Sequence, residues 1–119
     1  MITEFPVVFR GDIWMIDWNP SRGSEQQGYR PSLIVQNNAG SANPRYGNVI
    51  VVAISSKSSS NIPFHLLLPK DSDNGLMVDS YIKCEQILTI SKDRLINQIG
   101  HLSEDVMNNV FQTITSLLR

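Results

Sequence analysis

The sequence predicts a mainly β protein: a compact, partly open antiparallel barrel with one helix packed on it. Short apolar runs with the alternation of strands recur up to residue 90, separated by stretches rich in Gly, Pro, Asn and Ser. The period then changes, and apolar residues at helical spacing end the chain. With 119 residues, 41% of them hydrophobic and 18% charged, we expect a single domain over residues 1–119.

Five segments have the pattern of strands. They are 10–18, 32–36, 49–54, 64–68 and 80–90. In the first, Trp14, Ile16 and Trp18 share one face. In the last, uninterrupted alternation places Cys84 and Leu88 on the same face. Loops are predicted at 19–30, 37–48 and 55–63, where Pro, Gly, Asn and Ser are frequent.

The end of the chain predicts a helix from Ser103 to Leu118. Ser103 is a suitable N-cap, and Glu104 and Asp105 place carboxylates in the first turn, where the helix dipole favours them. A stripe of apolar residues follows at helical spacing, which predicts a face packed on the sheet or partly on a second subunit. A short helical turn is also predicted near 92–96.

Cysteine content and hydropathy bear on the cellular compartment. Cys84 is the only cysteine, so it cannot form an internal disulfide and is compatible with a reducing cytosol. No apolar run approaches the ~20 residues of a membrane-spanning helix, and the N-terminus does not look like a secretory signal. We therefore expect a cytoplasmic protein with no membrane association.

The net charge of −1 limits the kinds of nucleic acid that the chain can bind. Tight, sequence-blind binding to long duplexes needs many cations to neutralise phosphates. A short single strand needs only a few cations and some stacking surface, so it remains compatible with this charge.

The loop that ends at Arg30 concentrates polar and charged side chains. Gly23 and Gly28 bracket the cluster and permit close approach of a ligand to the backbone. Arg30 precedes Pro31, which favours extended geometry at the start of a buried strand and so a fixed position for the charge. A solvated hairpin loop is the alternative interpretation of this composition.

Several segments, taken in order, resemble toxins of the MazF/PemK family. They include Arg-Gly-Asp-Ile-Trp at 10–14, Gly-Ser-Glu-Gln-Gln-Gly-Tyr-Arg-Pro at 23–31, Leu-Ile-Val-Gln-Asn at 33–37, Val-Val-Ala-Ile-Ser-Ser at 51–56, Glu-Gln-Ile at 85–87 and Gly-His-Leu at 100–102. The resemblance covers nearly the whole chain. It implies an SH3-like small barrel of the MazF/CcdB/Kid type, a homodimer, and cofactor-free, metal-independent cleavage of single-stranded RNA at short sequences.

The resemblance also implies which residues act. By position, Arg30 matches the catalytic arginine of the family, and Ser55 matches a catalytic threonine or serine. Glu25 matches a family acidic residue and is the candidate general base. RNA contacts are expected from Arg22, Ser24, Gln26, Gln27, Tyr29, Ser56 and Lys57. A labile antitoxin with a disordered tail is the implied protein partner.

The other candidate residues are given structural roles. His65 and His101 are isolated, so neither is assigned to catalysis, and the single cysteine and scattered histidines lack metal-ligand spacing. Trp14 and Trp18 are expected in the core or at a dimer surface, which leaves Tyr29 as the stacking candidate. Two other functions remain open: a CcdB-like poison of DNA gyrase without ribonuclease activity, and a non-catalytic RNA-binding barrel.

Overall fold

In a computed structural model of the chain, residues 4–19, 28–58 and 61–119 are described, and they form one antiparallel sheet with a C-terminal helix. The strands are β1 (Asp12–Asp17), β2 (Tyr29–Ile34), β3 (Asn48–Ser55), β4 (His65–Leu68), β5 (Ser80–Ser91) and β6 (Leu95–His101). The helices are α1 (Asn38–Ser41) and α2 (Glu104–Leu117), with a 3₁₀ turn at Lys92–Arg94. The predicted mainly β fold with a C-terminal helix is confirmed.

The sheet has the order β4-β5-β3-β2-β1-β6, and every neighbouring pair is antiparallel. Among the described residues no ladder joins the edge strands β4 and β6, so the barrel predicted from the sequence is open. No described helix has the length and apolarity needed to cross a membrane.

Two hydrophobic clusters lie on opposite faces of the sheet. The first is formed where Ile13, Leu33 and Ile54 meet Met107 and Val110 of α2. The second contains Ile16, Trp18, Ile34 and Val51, with Trp14 packed against it. Trp18, just after β1, is therefore a core residue, whereas Trp14 is half-buried against the same cluster, and the predicted common face of the two tryptophans is confirmed.

Helix α2 begins where the sequence predicts. The Oγ atom of Ser103 accepts a hydrogen bond from the backbone N–H of Val106 at 3.3 Å, which satisfies one of the free donors of the first turn. The apolar stripe of α2 is wider than the part of the helix that contacts the sheet. Met107 and Val110 are buried, whereas Phe111 and Leu118 are exposed.

The prediction of unbroken alternation in β5 is wrong. Lys83 pairs with Ala53 and Ile87 pairs with Val52, so residues 84–86 form a bulge opposite two consecutive residues of β3. The bulge reverses the alternation that follows it. Cys84 therefore packs in the first cluster, whereas Leu88 packs against the second.

Two elements differ from the sequence prediction. The predicted loop 37–48 contains the single turn α1, because the side chain of Asn37 caps it by accepting from the N–H of Ala39 at 3.1 Å. The predicted helical turn near 92–96 is confirmed at Lys92–Arg94, but the chain then forms β6, which the sequence did not predict.

Candidate functional site

One surface pocket of about 330 Å³ brings together the two residues that the sequence assigned to catalysis. Arg30 enters it from β2 and Ser55 from the end of β3, although 25 positions separate them in the chain. The other lining residues are Met15, Pro31, Ile54, Ser56, Gly75, Leu76, Met77, Val78, Ser80 and Ile99. The pocket thus combines one cation and several hydroxyls with a largely apolar wall.

Strand geometry fixes the position of Arg30. It lies at the start of β2, opposite Ile16 of β1 and before Pro31, as the sequence predicted. Its side chain is exposed to solvent. A guanidinium keeps its charge in proteins and offers planar paired donors, so at this position it can bind a phosphate or another oxyanion.

The hydroxyl of Ser55 is oriented by a backbone N–H two residues further along the chain. Its Oγ atom accepts a hydrogen bond from the N–H of Lys57 at 3.1 Å, which closes a small turn at the end of β3. A serine hydroxyl has one proton to donate and accepts through its lone pairs. Because the turn engages the oxygen only as an acceptor, the O–H of Ser55 can still donate a hydrogen bond to a ligand in the pocket.

The predicted RNA-contact residues divide into three groups. Ser56 lines the same pocket, and Lys57 is exposed in the turn beside it. Tyr29 is 67% exposed and lines a neighbouring groove of about 460 Å³, whose wall also includes Met15 and Arg94. Arg22, Ser24, Gln26 and Gln27 lie outside the described residues, as does Glu25, the candidate general base.

No described acidic residue lines the pocket that contains Arg30 and Ser55. The assignment of a general base to Glu25 therefore stays a prediction. Across the described part of the chain, no three His, Cys, Asp or Glu side chains come together in a group that could hold a metal ion.

Sequence reasoning missed two features near the site. Met77 is 88% exposed and lines the pocket together with Val78, yet a short apolar stretch after a turn gave no sign of this. His65 contacts both Ser58 and Glu85, which the sequence could not indicate because the contacts depend on how β4 pairs with β5.

Cys84 is an inert core residue. Burial, followed by the negative charge of Glu85, raises the pKa of its thiol to about 11. The thiol is therefore protonated near neutral pH and is not a nucleophile.

Comparisons with known proteins agree with this arrangement. Residues 9–118 match the family model described as PemK-like, MazF-like toxin of type II toxin–antitoxin systems. Endoribonuclease MazF of Staphylococcus saprophyticus is 41% identical over 106 residues, 88% of this chain and 86% of that protein. Endoribonuclease MazF9 of Mycobacterium tuberculosis is 38% identical over 97 residues, 79% of this chain and 81% of that protein.

Solved structures share the fold. MazF of Deinococcus radiodurans superposes with a TM-score of 0.73 at 23% identity, covering 96% of each chain. An endoribonuclease from a mycobacterial species, solved in complex with its cognate antitoxin, gives a TM-score of 0.71 at 24% identity, covering 94% of this chain and 93% of that one. The open sheet with its C-terminal helix is therefore the fold of these toxins. The chain belongs to the PemK-like, MazF-like toxin family of type II toxin–antitoxin systems.

Proposed function

We propose that the chain is an endoribonuclease toxin that cleaves single-stranded RNA at the pocket containing Arg30 and Ser55. The observation that carries this proposal is the meeting of a fixed cation and an oriented hydroxyl, from β2 and β3, in one exposed pocket. Both curated relatives compared above carry the name endoribonuclease. The substrate is a short single strand, because a net charge of −1 argues against tight, sequence-blind binding to a long duplex, where many phosphates must be neutralised.

The proposed reaction is an internal transesterification. The ribose 2′-oxygen loses its proton to a base and forms a bond to the adjacent phosphorus. The bond from phosphorus to the 5′-oxygen breaks, and this oxygen takes a proton from a general acid, for which Arg30 is the candidate. The products carry a 2′,3′-cyclic phosphate and a 5′-hydroxyl, and no metal or cofactor takes part.

Each residue has a role that its chemistry permits. Arg30 donates to the oxygens of the phosphorane, since a permanently protonated guanidinium is a poor base. Ser55, whose oxygen already accepts from the N–H of Lys57, donates a hydrogen bond through its O–H to a phosphate oxygen. Glu25 is the candidate base, and Tyr29, with its large exposed ring, is the candidate for stacking on a nucleobase.

We further propose that the chain acts in the cytoplasm as a homodimer and is neutralised by an antitoxin. Phe111 of α2 and Leu118 at its C-cap leave apolar surface exposed, which a second subunit could cover. The antitoxin is inferred from the family and from the mycobacterial structure solved with its cognate antitoxin.

The test uses purified protein, a defined single-stranded RNA and EDTA. The expected result is cleavage with 2′,3′-cyclic phosphate ends, slowed roughly 10²–10³-fold in Arg30→Ala. Arg119→Ala, which removes an exposed arginine at the C-terminus, is the matched control and should cleave at the unaltered rate. DNA of the same sequence should remain intact, because it lacks the 2′-hydroxyl.

Three outcomes would contradict the proposal. Intact RNA at high protein concentration, or equal cleavage by Arg30→Ala, would remove the ribonuclease assignment. Gyrase-dependent DNA breaks on expression would favour a CcdB-like poison. Binding of RNA without any product would identify a non-catalytic barrel.

A further inference from the structure

Three polar side chains form a continuous hydrogen-bonded series close in sequence to Ser55 and Ser56. The Oγ atom of Ser58 lies 2.6 Å from Nδ1 of His65. On the opposite side of the same ring, Nε2 lies 2.9 and 2.8 Å from the two carboxylate oxygens of Glu85. The side chain of His65 is only 6% exposed, so the protein surrounds the ring. This series is termed the Ser58–His65–Glu85 relay.

The chemistry of the three groups gives the relay a direction. An ionised carboxylate only accepts hydrogen bonds, so Nε2 of His65 carries the proton that points at Glu85. In a neutral ring Nδ1 is then an acceptor, and the hydroxyl of Ser58 is its donor. The imidazole is thus held from both sides, and its orientation is set by β5 on one side and by the segment after β3 on the other.

Glu85 is the anchor of the relay. His65 pairs with Lys83 in the β4–β5 ladder, and Glu85 lies two residues further along β5, on the same face, within reach of the ring. The N–H of Cys84 donates to the carbonyl of Phe64 at 3.2 Å, which ties the bulge to the start of β4. The ring of Phe64 packs edge-on to that of His65, with the centroids 5.5 Å apart. The carboxylate therefore sits on a constrained part of the sheet.

The relay is connected to the proposed active site through a single turn. Ser55 accepts from the N–H of Lys57, and Ser58 is the next residue along the chain. Fixing Ser58 to β4 and β5 limits how far the turn at 55–58 can move against the sheet. A displacement of about 1 Å in a group that contacts the reacting phosphate can cost about 100-fold in rate.

We propose that His65 is a positioning residue that acts through Ser58 to hold the hydroxyl of Ser55 in its catalytic orientation. The inference rests on the proposed ribonuclease function and extends it to residues outside the pocket. His65 itself does not contact the RNA, and it supplies no proton to the reaction. Its action is to keep the turn at 55–58 in one conformation.

The test is a double-mutant cycle measured in single-turnover RNA cleavage. Ser58→Ala and His65→Ala are each expected to lower the cleavage rate by about 10- to 100-fold, because the turn is released. In a Ser55→Ala background the same changes should have little further effect, since the hydroxyl that they position is already absent. RNA affinity should change much less than the rate in all of these variants.

Two further variants separate positioning from loss of folding. Ser58→Thr keeps the hydroxyl and should retain most of the cleavage rate, whereas Ser58→Ala should not. His101→Ala removes the other histidine, which is exposed on β6, and should cleave like the unaltered chain. Nitrogen NMR of the imidazole gives a readout independent of cleavage, and we expect a protonated Nε2 and an Nδ1 signal that shifts in Ser58→Ala.

The outcomes distinguish this inference from the proposed function. If the unaltered chain cleaves no RNA, the ribonuclease assignment fails, and the positioning role fails with it. If it cleaves but Ser58→Ala is equally fast, only the relay is refuted. Full additivity of Ser58→Ala and Ser55→Ala would also overturn it, because the two residues would then act independently.

Discussion

At the scale of single residues, the least expected feature is a fully buried lysine. Lys92 follows β5, and its Nζ atom donates to the carbonyls of Gly40 and Asn43, each at 3.0 Å. The ring of Tyr46 lies 5.9 Å from the same atom. The lysine thus ties the segment around α1 to the end of β5. Burial lowers the pKa of Lys92 below its usual value of 10.5.

Lys92→Met is expected to lower the free energy of unfolding by about 1–3 kcal/mol at pH 7. Methionine has a similar length, but it leaves both carbonyls without their charged donor. The difference in free energy of unfolding between the unaltered protein and Lys92→Met should also depend on pH. Between the lowered pKa of the folded state and the unfolded value near 10.5, the unfolded chain binds more protons, so the unaltered protein gains stability as the pH rises.

Urea unfolding of both proteins at pH 7 and pH 10 tests this expectation. The stability of the unaltered chain relative to Lys92→Met should be greater at pH 10, because the methionine variant lacks this titration. A difference that is constant or that narrows with pH would show that Lys92 is not held in a desolvated site. The change in this stability difference between the two pH values measures the cost of desolvating the charged amine.

At the scale of elements, periodicity predicted the main strands and α2 because their side chains divide cleanly between a buried and an exposed face. β6 lacks this pattern. Ile96, Asn97 and Gln98 are all exposed on this edge strand, so no alternation marks it. The single turn α1 is set by the cap at Asn37, and one turn is too short to leave a helical period.

The candidate site was predictable only in part. Arg30 and Ser55 were found by resemblance, and the extended start of β2 followed from Pro31. The relay was not predictable, because it depends on the pairing of β4 with β5, a tertiary contact whose register no local pattern in the sequence gives. The bulge at 84–86 was also not predictable, because extra residues in one strand have no distinctive sequence. Any prediction from alternation therefore assigns the residues that follow a bulge to the wrong face.

The turn before Leu76 lies against β6. This contact can be tested by comparing alanine substitutions at two glycines with the same backbone conformation. Gly75 has a φ of 68°, and a side chain there would collide with the carbonyl of Ile99. Gly28 has nearly the same φ, 69°, but nothing lies within 4 Å of the position that a side chain would take. Gly28→Ala should therefore cost only the left-handed backbone conformation, about 1–2 kcal/mol.

Gly75→Ala should cost distinctly more than Gly28→Ala, because β6 must also move, and overpacking adds about 1–3 kcal/mol. The free energies of unfolding of the two variants, measured in urea, give the comparison. Gly75 also lines the pocket, so its substitution should slow RNA cleavage as β6 shifts. Equal stability losses would show that the turn and β6 can separate freely.

At the scale of the whole molecule, the sheet assembles the proposed site within one chain. β2 and β3 are adjacent and antiparallel, so the start of one and the end of the other meet at the same edge of the pocket. A second subunit can extend the RNA-binding surface, but it is not needed to bring the cation and the hydroxyl together. In a symmetric dimer each subunit then carries its own pair.

This arrangement predicts the behaviour of mixed dimers. Arg30→Ala and Ser55→Ala proteins, unfolded and refolded together, should cleave RNA no faster than the average of the two alone, because no pocket regains both residues. If each site instead took Arg30 from one subunit and Ser55 from the other, roughly a quarter of the unaltered activity would return. Refolding the unaltered chain with an Arg30→Ala/Ser55→Ala double variant is the converse test, in which activity would fall only if a site were shared between subunits. Its activity per unaltered chain should be retained, since each unaltered subunit keeps a complete pair whatever its partner carries.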